Sequence, residues 1–307
     1  MHVQTFQIND VPQSRNAKSG ELGFIERINN SGLTGFVHST FKRTINIHCH
    51  ENGELFTIAS NQIDNGPNTL VIHSPSLEEF NIDVNDAVYV KNNVLHISNK
   101  LAISTNQVDK WFSILPEYPA NTENINRNLK RMMEYIDIHG KAGGMKEKVV
   151  GQSPFEVEIT KLLEERTKLL LEGLLNNRMT RALHHAVSLI GLGPGLTPSG
   201  DDYLVGLFTI LNLRNSPFYL HQSFCEEVLQ NAKNLTNEIS YMALKKASIG
   251  QVRESVIHLI HSILYGEEED LYLTLNKVLN IGSSSGTDLA LGLVCGLKTN
   301  LKAGGQS

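Results

Sequence analysis

The sequence predicts an α+β protein: a small N-terminal β-barrel or sandwich-like domain over residues 1–118, then an all-α domain over 119–307. Three observations predict it. Between Leu22 and Phe112, turn formers cut the chain into short runs rich in Val, Ile, Phe and Thr. After Pro116 and Pro119 the apolar spacing lengthens to three and four residues. No strand-like run alternates with these helical ones, which disfavours a doubly wound nucleotide fold.

Taken in order, the strand candidates are Leu22–Ile28, Leu33–His38, Lys42–Cys49, Glu54–Ala59, Thr69–Ile72, Ala87–Val90 and Val94–Ile97. Asn52-Gly53 and Asn65-Gly66 are signals for turns with positive φ, and Asn92-Asn93 reads as a two-residue hairpin turn. In the second half, Ser153-Pro154-Phe155-Glu156 starts a helix, with a Ser cap, Pro at the first position and Glu three residues past the cap. Further helices are expected at 123–139, 179–190, 198–213, 217–233, 237–248, 251–265, 267–280 and 286–299. Gly140, Gly191, Gly250 and Gly282 stand at their stops. Lys141–Gly151 reads as a loop.

Composition narrows the function classes. The 307 residues carry a net charge of −5, with 8 basic and 12 acidic residues up to position 118 and 19 and 20 after it. Neither half has the basic field that would hold nucleic acid or an anionic membrane. Cys49, Cys225 and Cys295 lie far apart with no CxxC pair, which argues against a zinc ribbon or a disulfide framework. The most apolar stretch, Tyr203–Leu213, is too short for a bilayer that needs about 20 residues. Met1–Phe6 lack the basic start and apolar run of a signal peptide. A cytoplasmic protein without metal or cofactor is expected.

The densest chemical signal is Gly191-Leu192-Gly193-Pro194-Gly195-Leu196-Thr197-Pro198-Ser199-Gly200-Asp201-Asp202. A glycine-rich loop running into a helix start offers free N–H groups and the positive end of a dipole, which suits an anion. It is not a phosphate-binding Walker loop, since no strand precedes it and no Gly-Lys-Ser/Thr follows. A second loop, Gly282-Ser283-Ser284-Ser285-Gly286-Thr287-Asp288, aligns with it: Ser199 to Leu207 and Ser285 to Leu293 both read S-G-x-D-x-x-x-G-L. The repeat suggests two related helix N-termini facing one cleft. Gly193, Gly195, Thr197, Ser199, Gly200, Asp201, Ser284, Ser285 and Gly286 are the expected anion and substrate contacts, and Asp202 and Asp288 the expected catalytic groups. Thr236 and Ser240, one turn apart, are expected to present hydroxyls to the same cleft. The plainer reading is that Ser199/Asp202 and Ser285/Asp288 are capping boxes that merely start helices.

Other features weigh less. His48 and His50 share a polar strand face with Asn46, while Ile45, Ile47 and Cys49 point inward. His184 and His185 precede the first loop by two turns, and adjacent helical residues diverge. Arg178 and Arg181 could grip a carboxylate but also fit a solvated helix face, and Glu267–Asp270 fit an acidic helix start.

The run Gly191–Asp202, the Thr236/Ser240 element and the second Ser-rich loop resemble the AllH family. Its named member is a subunit of bacterial oxamate carbamoyltransferase, found with FdrA and AllG subunits. The resemblance covers about 150–298 and is expected to extend to the whole chain. It implies anaerobic allantoin (purine) catabolism, in which oxalurate and phosphate give oxamate and carbamoyl phosphate. It further implies FdrA-like and AllG-like partners, and leaves self-association into a homo-oligomer open. Two other readings compete: a non-catalytic partner completing a site on another subunit, and a nucleotide-dependent kinase, hinted at only by the Gly-Ser-Ser-Ser-Gly run.

Overall fold

The computed structural model describes residues 11–30, 32–147, 151 and 153–305; the signal-peptide reading at Met1–Phe6 falls outside them. The chain forms two compact units that divide between Phe112 and Ser113.

The first unit is a closed β-barrel. Its strands are β1 (Gln13–Glu21), β2 (Thr34–Thr40), β3 (Thr44–Cys49), β4 (Leu55–Ser60), β5 (Thr69–Ile72), β6 (Ala87–Lys91), β7 (Val94–Ile97), β8 (Leu101–Ser104) and β9 (Asp109–Trp111). They follow the order β5-β4-β3-β2-β6-β7-β8-β1-β9, and β1 also pairs with β5 to close the ring. β8 and β9 share one edge of β1, pairing with Gln13–Asn16 and Ser19–Glu21 respectively, so the ring has eight positions. Ile45, Ile47, Phe56, Ile58, Leu70, Leu95 and Ile103 fill it. Asn92 and Asn93 both take positive φ in the β6–β7 hairpin, as their sequence predicts, and Gly53 does so at φ +66°. Asn65-Gly66 does not; the left-handed residue of that turn is Asn68.

One expected strand is a helix. Leu22–Asn29 forms α1, whose Phe24, Ile25 and Ile28 fall at helical spacing and are buried in the barrel core. The Glu21 carboxylate caps it, accepting from the N–H groups of Gly23 and Phe24. β1 is polar along most of its length and buries only Ala17, Ser19 and Gly20.

The second unit is helical: α2 (Glu123–His139), α3 (Pro154–Leu175), α4 (Met179–Leu189), α5 (Ser199–Leu211), α6 (Gln222–Ala232), α7 (Glu238–Ala247), α8 (Glu254–Tyr265), α9 (Glu268–Leu279) and α10 (Ser285–Ala303). A 3-10 turn at Tyr219–His221 leads into α6. These lie within a few residues of the sequence expectations, and Ser153 and Glu156 form the expected capping box of α3. Among the described residues, no helix is long and apolar enough to cross a membrane.

α5 and α10 cross in backbone contact. A methyl on Gly206 would overlap the Leu289 carbonyl and approach Leu293 N to 2.9 Å. A methyl on Gly292 would overlap the Tyr203 carbonyl and approach Leu207 N to 3.0 Å. These contacts exchange under the motif alignment, so the pair is related by a local twofold, and the glycine four residues past each Asp is the crossing point. Gly206→Ala and Gly292→Ala are each expected to lower stability by about 2–3 kcal/mol in urea denaturation, because backbone rather than a mobile side chain must move. Leu273→Ala, on the exposed face of α9, should stay within about 0.5 kcal/mol.

Candidate functional site

The local twofold extends into the loops that start both helices. Leu192 N–H donates to Leu189 O at 3.0 Å and Gly200 N–H to Leu192 O at 2.9 Å. Ile281 N–H donates to Val278 O at 2.9 Å and Gly286 N–H to Ile281 O at 3.0 Å. The first loop is three residues longer, and its extra residues carry Gly195 and the approach to Thr197. Gly193 and Gly282, at φ +112° and +59°, each lie against the serine of their own motif.

This geometry reassigns Gly200 and Gly286. A Cβ on Gly200 would overlap the Leu189 carbonyl, and one on Gly286 the Val278 carbonyl. They are glycines because the end of the preceding helix lies on them, and their N–H groups are already used within the loops. The capping-box reading is also corrected: the N-caps are Pro198 and Ser284, and neither helix start has a side-chain cap hydrogen bond.

The serines instead reach across the twofold. Ser285 of the second motif reaches Asp202 of the first through Thr197, and Ser199 of the first lies beside Asp288 of the second. Thr197 Oγ1 closes one side, 2.9 Å from Asp202 Oδ2 and 2.8 Å from Ser285 Oγ. On the other side Met145 N–H donates to Asp288 Oδ1 at 2.7 Å.

Asp201 has a different task. It is buried and accepts from Gly191 N–H at 2.8 Å, from Thr236 Oγ1 and from Ser240. Thr236 and Ser240 therefore do present their hydroxyls to one place, but that place is the Asp201 carboxylate. The knot fixes the first loop to the start of α7, and Asn237 reinforces it by donating from Nδ2 to Leu196 O at 2.6 Å. Asn237 also caps α7, its side chain accepting from Ser240 N–H.

Residues that sequence reasoning left as plain loop complete the site. After α2, Lys141 N–H donates to Thr287 Oγ1 at 2.8 Å and Lys141 Nζ to Gly282 O at 3.0 Å. Lys146 Nζ caps α2 by donating to the carbonyls of Ile136, Asp137 and Gly140. Gly144 rests on Asp288 and Ser199 with no room for a side chain. The Gly143-Gly144 pair was the available signal. A cavity of about 210 Å³ opens beside it, bounded by Gly143, Gly144, the start of α3 at Phe155–Thr160, and Gly191–Pro194. Among the described residues its lining holds no lysine or arginine.

Electrostatics follow from burial. Desolvation pushes the Asp202 carboxyl up to about 7, assisted by the charges of Asp288 and Asp201 and opposed by the Thr197 and Ser285 hydroxyls. Desolvation pushes Asp288 up to about 6 against the Met145 N–H, and raises Asp201 as well. Among the described residues no group of three or more His, Cys, Asp or Glu is arranged to hold a metal. His48 stacks on Phe36 with ring centroids 5.0 Å apart, and His184 and His185 meet edge-on at 5.2 Å.

The raised carboxyls make stability depend on pH in a definite direction. Both bind protons more tightly folded than at their ordinary value of 3.8, so their contribution is full below about pH 4 and is lost as pH rises through 6 to 7. Asp202→Asn and Asp288→Asn are expected to gain melting temperature relative to wild type between pH 5 and 8. A difference that stays flat across that range would show that the carboxyls titrate normally.

Two family models match the chain. A model described as the AllH family N-terminal domain matches residues 16–110, and one described as oxamate carbamoyltransferase subunit AllH matches 189–297. No solved structure matches the chain. The first match covers most of the barrel, and the second takes in both motif loops, Asp201, Asp202, Asp288 and the Thr236/Ser240 knot. With both halves matched, the chain belongs to the AllH family, the family of an oxamate carbamoyltransferase subunit.

Proposed function

We propose that this chain carries the carbamoyl-transfer site of an oxamate carbamoyltransferase, converting oxalurate and phosphate to oxamate and carbamoyl phosphate in allantoin catabolism in the cytoplasm. The observation that carries the reading is the pair of buried carboxyls, Asp202 and Asp288, held near neutral titration where the N-termini of α5 and α10 meet. In the reaction a phosphate oxygen attacks the ureido carbonyl carbon, and a tetrahedral oxyanion forms. The bond to the oxamate nitrogen then breaks, and that nitrogen takes up a proton as phosphate loses one. A carboxyl titrating near the working pH is suited to carrying that proton, which makes Asp202 the proposed acid and base. No hydrogen bond from the N–H groups of Gly193, Gly195 and Thr197 is made to a described residue, and together with the two helix dipoles they suit the anions and the oxyanion. Thr197, Ser284 and Ser285 supply hydroxyls at the same place. Asp201, Thr236 and Ser240 serve by holding the loop.

A second reading rests on the lining of the cavity. Its substrates are anionic, yet among the described residues neither lysine nor arginine lines it. On this reading FdrA-like and AllG-like subunits bring the cationic groups, and this chain contributes half of a shared site. Free cysteines at 49, 225 and 295 fit a reducing compartment.

The test is to purify the chain alone and with co-expressed partner subunits, and to measure carbamoyl phosphate formed from oxalurate and phosphate. Turnover by the chain alone supports the first reading; turnover only in the mixture supports the shared site. In whichever preparation is active, Asp202→Asn should lower turnover by about 100-fold or more with an unchanged circular dichroism spectrum. Asp202→Asn and Asp288→Asn variants that both keep wild-type turnover would remove the carboxyls from the chemistry.

A further inference from the structure

The local twofold relates Asp202 to Asp288 and Ser199 to Ser285, but its two halves differ in exposure. Asp202, Thr197 and Ser285 keep part of their surface, whereas Asp288 and Ser199 are 0% and 1% exposed. The segment after α2 makes the difference. Gly144 lies directly on the sealed half: a Cβ there would overlap both carboxylate oxygens of Asp288 and come within 2.5 Å of Ser199 Oγ.

That segment is tied to the second motif at both ends. Lys141 N–H donates to Thr287 Oγ1 at 2.8 Å and Lys141 Nζ to Gly282 O at 3.0 Å, while Met145 N–H donates to Asp288 Oδ1 at 2.7 Å. Between these anchors Gly143 N–H donates to Lys146 O at 2.9 Å, closing the segment into a small loop. The third motif position works alike in both halves: Asp201 holds the residues before α7, and Thr287 holds those after α2. The fourth position does not. Asp202 accepts from Thr197 of its own loop, whereas Asp288 accepts from a distant backbone N–H. Gly143 and Gly144 both line the cavity, so the loop that Asp288 holds is one of its walls.

We infer that Asp288 is a positioning residue: its Oδ1 latches the loop Lys141–Lys146 over the second motif and so sets the Gly143–Gly144 wall of the cavity, leaving Asp202 as the carboxyl for chemistry. The division of tasks rests on the carbamoyl-transfer reading; the latch itself does not. A latch needs an acceptor oxygen, not a charge. In Asp288→Asn that oxygen remains for Met145 N–H, and the new NH2 faces Ser199, whose hydroxyl can accept from it. Carrying a proton needs the carboxyl itself. Asp288→Asn and Asp288→Ala therefore separate the two roles, since the second removes the acceptor as well.

The experiment follows native-state trypsin cleavage after Lys141 by mass spectrometry, together with carbamoyl phosphate formation, in the full chain alone and with co-expressed partner subunits. Each variant is compared with wild type in the same preparation. Cleavage there reads the lifted form of the loop. Asp288→Ala is expected to be cut at least about tenfold faster than wild type, and Asp288→Asn and Asp202→Ala within about threefold of it. In the preparation that turns over, Asp288→Asn should keep kcat within about threefold. Asp288→Ala should raise KM for oxalurate or phosphate at least about tenfold, with a smaller change in kcat. Unchanged cleavage in Asp288→Ala, or cleavage as fast in Asp288→Asn as in Asp288→Ala, would overturn the latch. A kcat about 100-fold lower in Asp288→Asn, with the loop cut at the wild-type rate, would return Asp288 to the chemistry and overturn the division of tasks. If Asp288→Ala fails to fold, Gly144→Ala takes its place, because its methyl lifts the loop from the same seat; unchanged cleavage there would overturn the latch. The expected cleavage pattern without turnover in either preparation would sink the transfer reading and keep the latch; turnover with unchanged cleavage would do the reverse.

Discussion

The helical unit is organised by the backbone contact between α5 and α10 at Gly206 and Gly292. Helices whose axes are held apart by side chains bring only side-chain tips together. Here each glycine lies on the other helix's carbonyl, and Gly296 continues the contact against Ile210. The helix starts are therefore fixed close to one another, and the polar groups of the site are arranged around that. Asp201 ties the first loop to α7, and Lys141 and Met145 tie the segment after α2 onto α10.

Bringing two helix N-termini together gathers two positive dipole ends in one place, and Asp202 and Asp288 answer them. Burial and mutual repulsion then work against the second negative charge, so the pair sits at the edge of protonation near neutral pH. The serines take no part in starting their own helices. Ser199 lies beside Asp288 and Ser285 reaches Asp202 through Thr197, which joins the two loops into a single site and gives a physical reason for the motif to occur twice.

Much of this was legible from residues alone, and the failures are instructive. The helices follow apolar spacing and Gly stops, and the Asn-Asn hairpin follows from tolerance of positive φ. Leu22–Asn29 misled because Leu22, Phe24, Ile25 and Ile28 satisfy a short strand window as readily as one helical face, and the deciding cap, Glu21, is an unusual one. β1, β8 and β9 were missed because β1 is mostly polar and the other two are short; their pairing is non-local, set by closure of the barrel. At the site the repeated motif picked out the residues that meet where α5 and α10 start. Its spacing could not say that Gly200 and Gly286 face a neighbouring helix, that Thr236 and Ser240 face Asp201, or that Gly144 and Met145 arrive from over a hundred residues away.

The central claim is that each serine belongs to the other motif's aspartate. Double-mutant cycles in urea denaturation at pH 7.5 test it directly, combining Ser285→Ala with Asp202→Asn across the motifs and with Asp288→Asn inside its own. The account predicts a coupling of about 1 kcal/mol for the cross pair and near-additivity for the pair within the motif. Coupling confined to Ser285 with Asp288, and to Ser199 with Asp202, would return both motifs to independent helix caps and contradict the account.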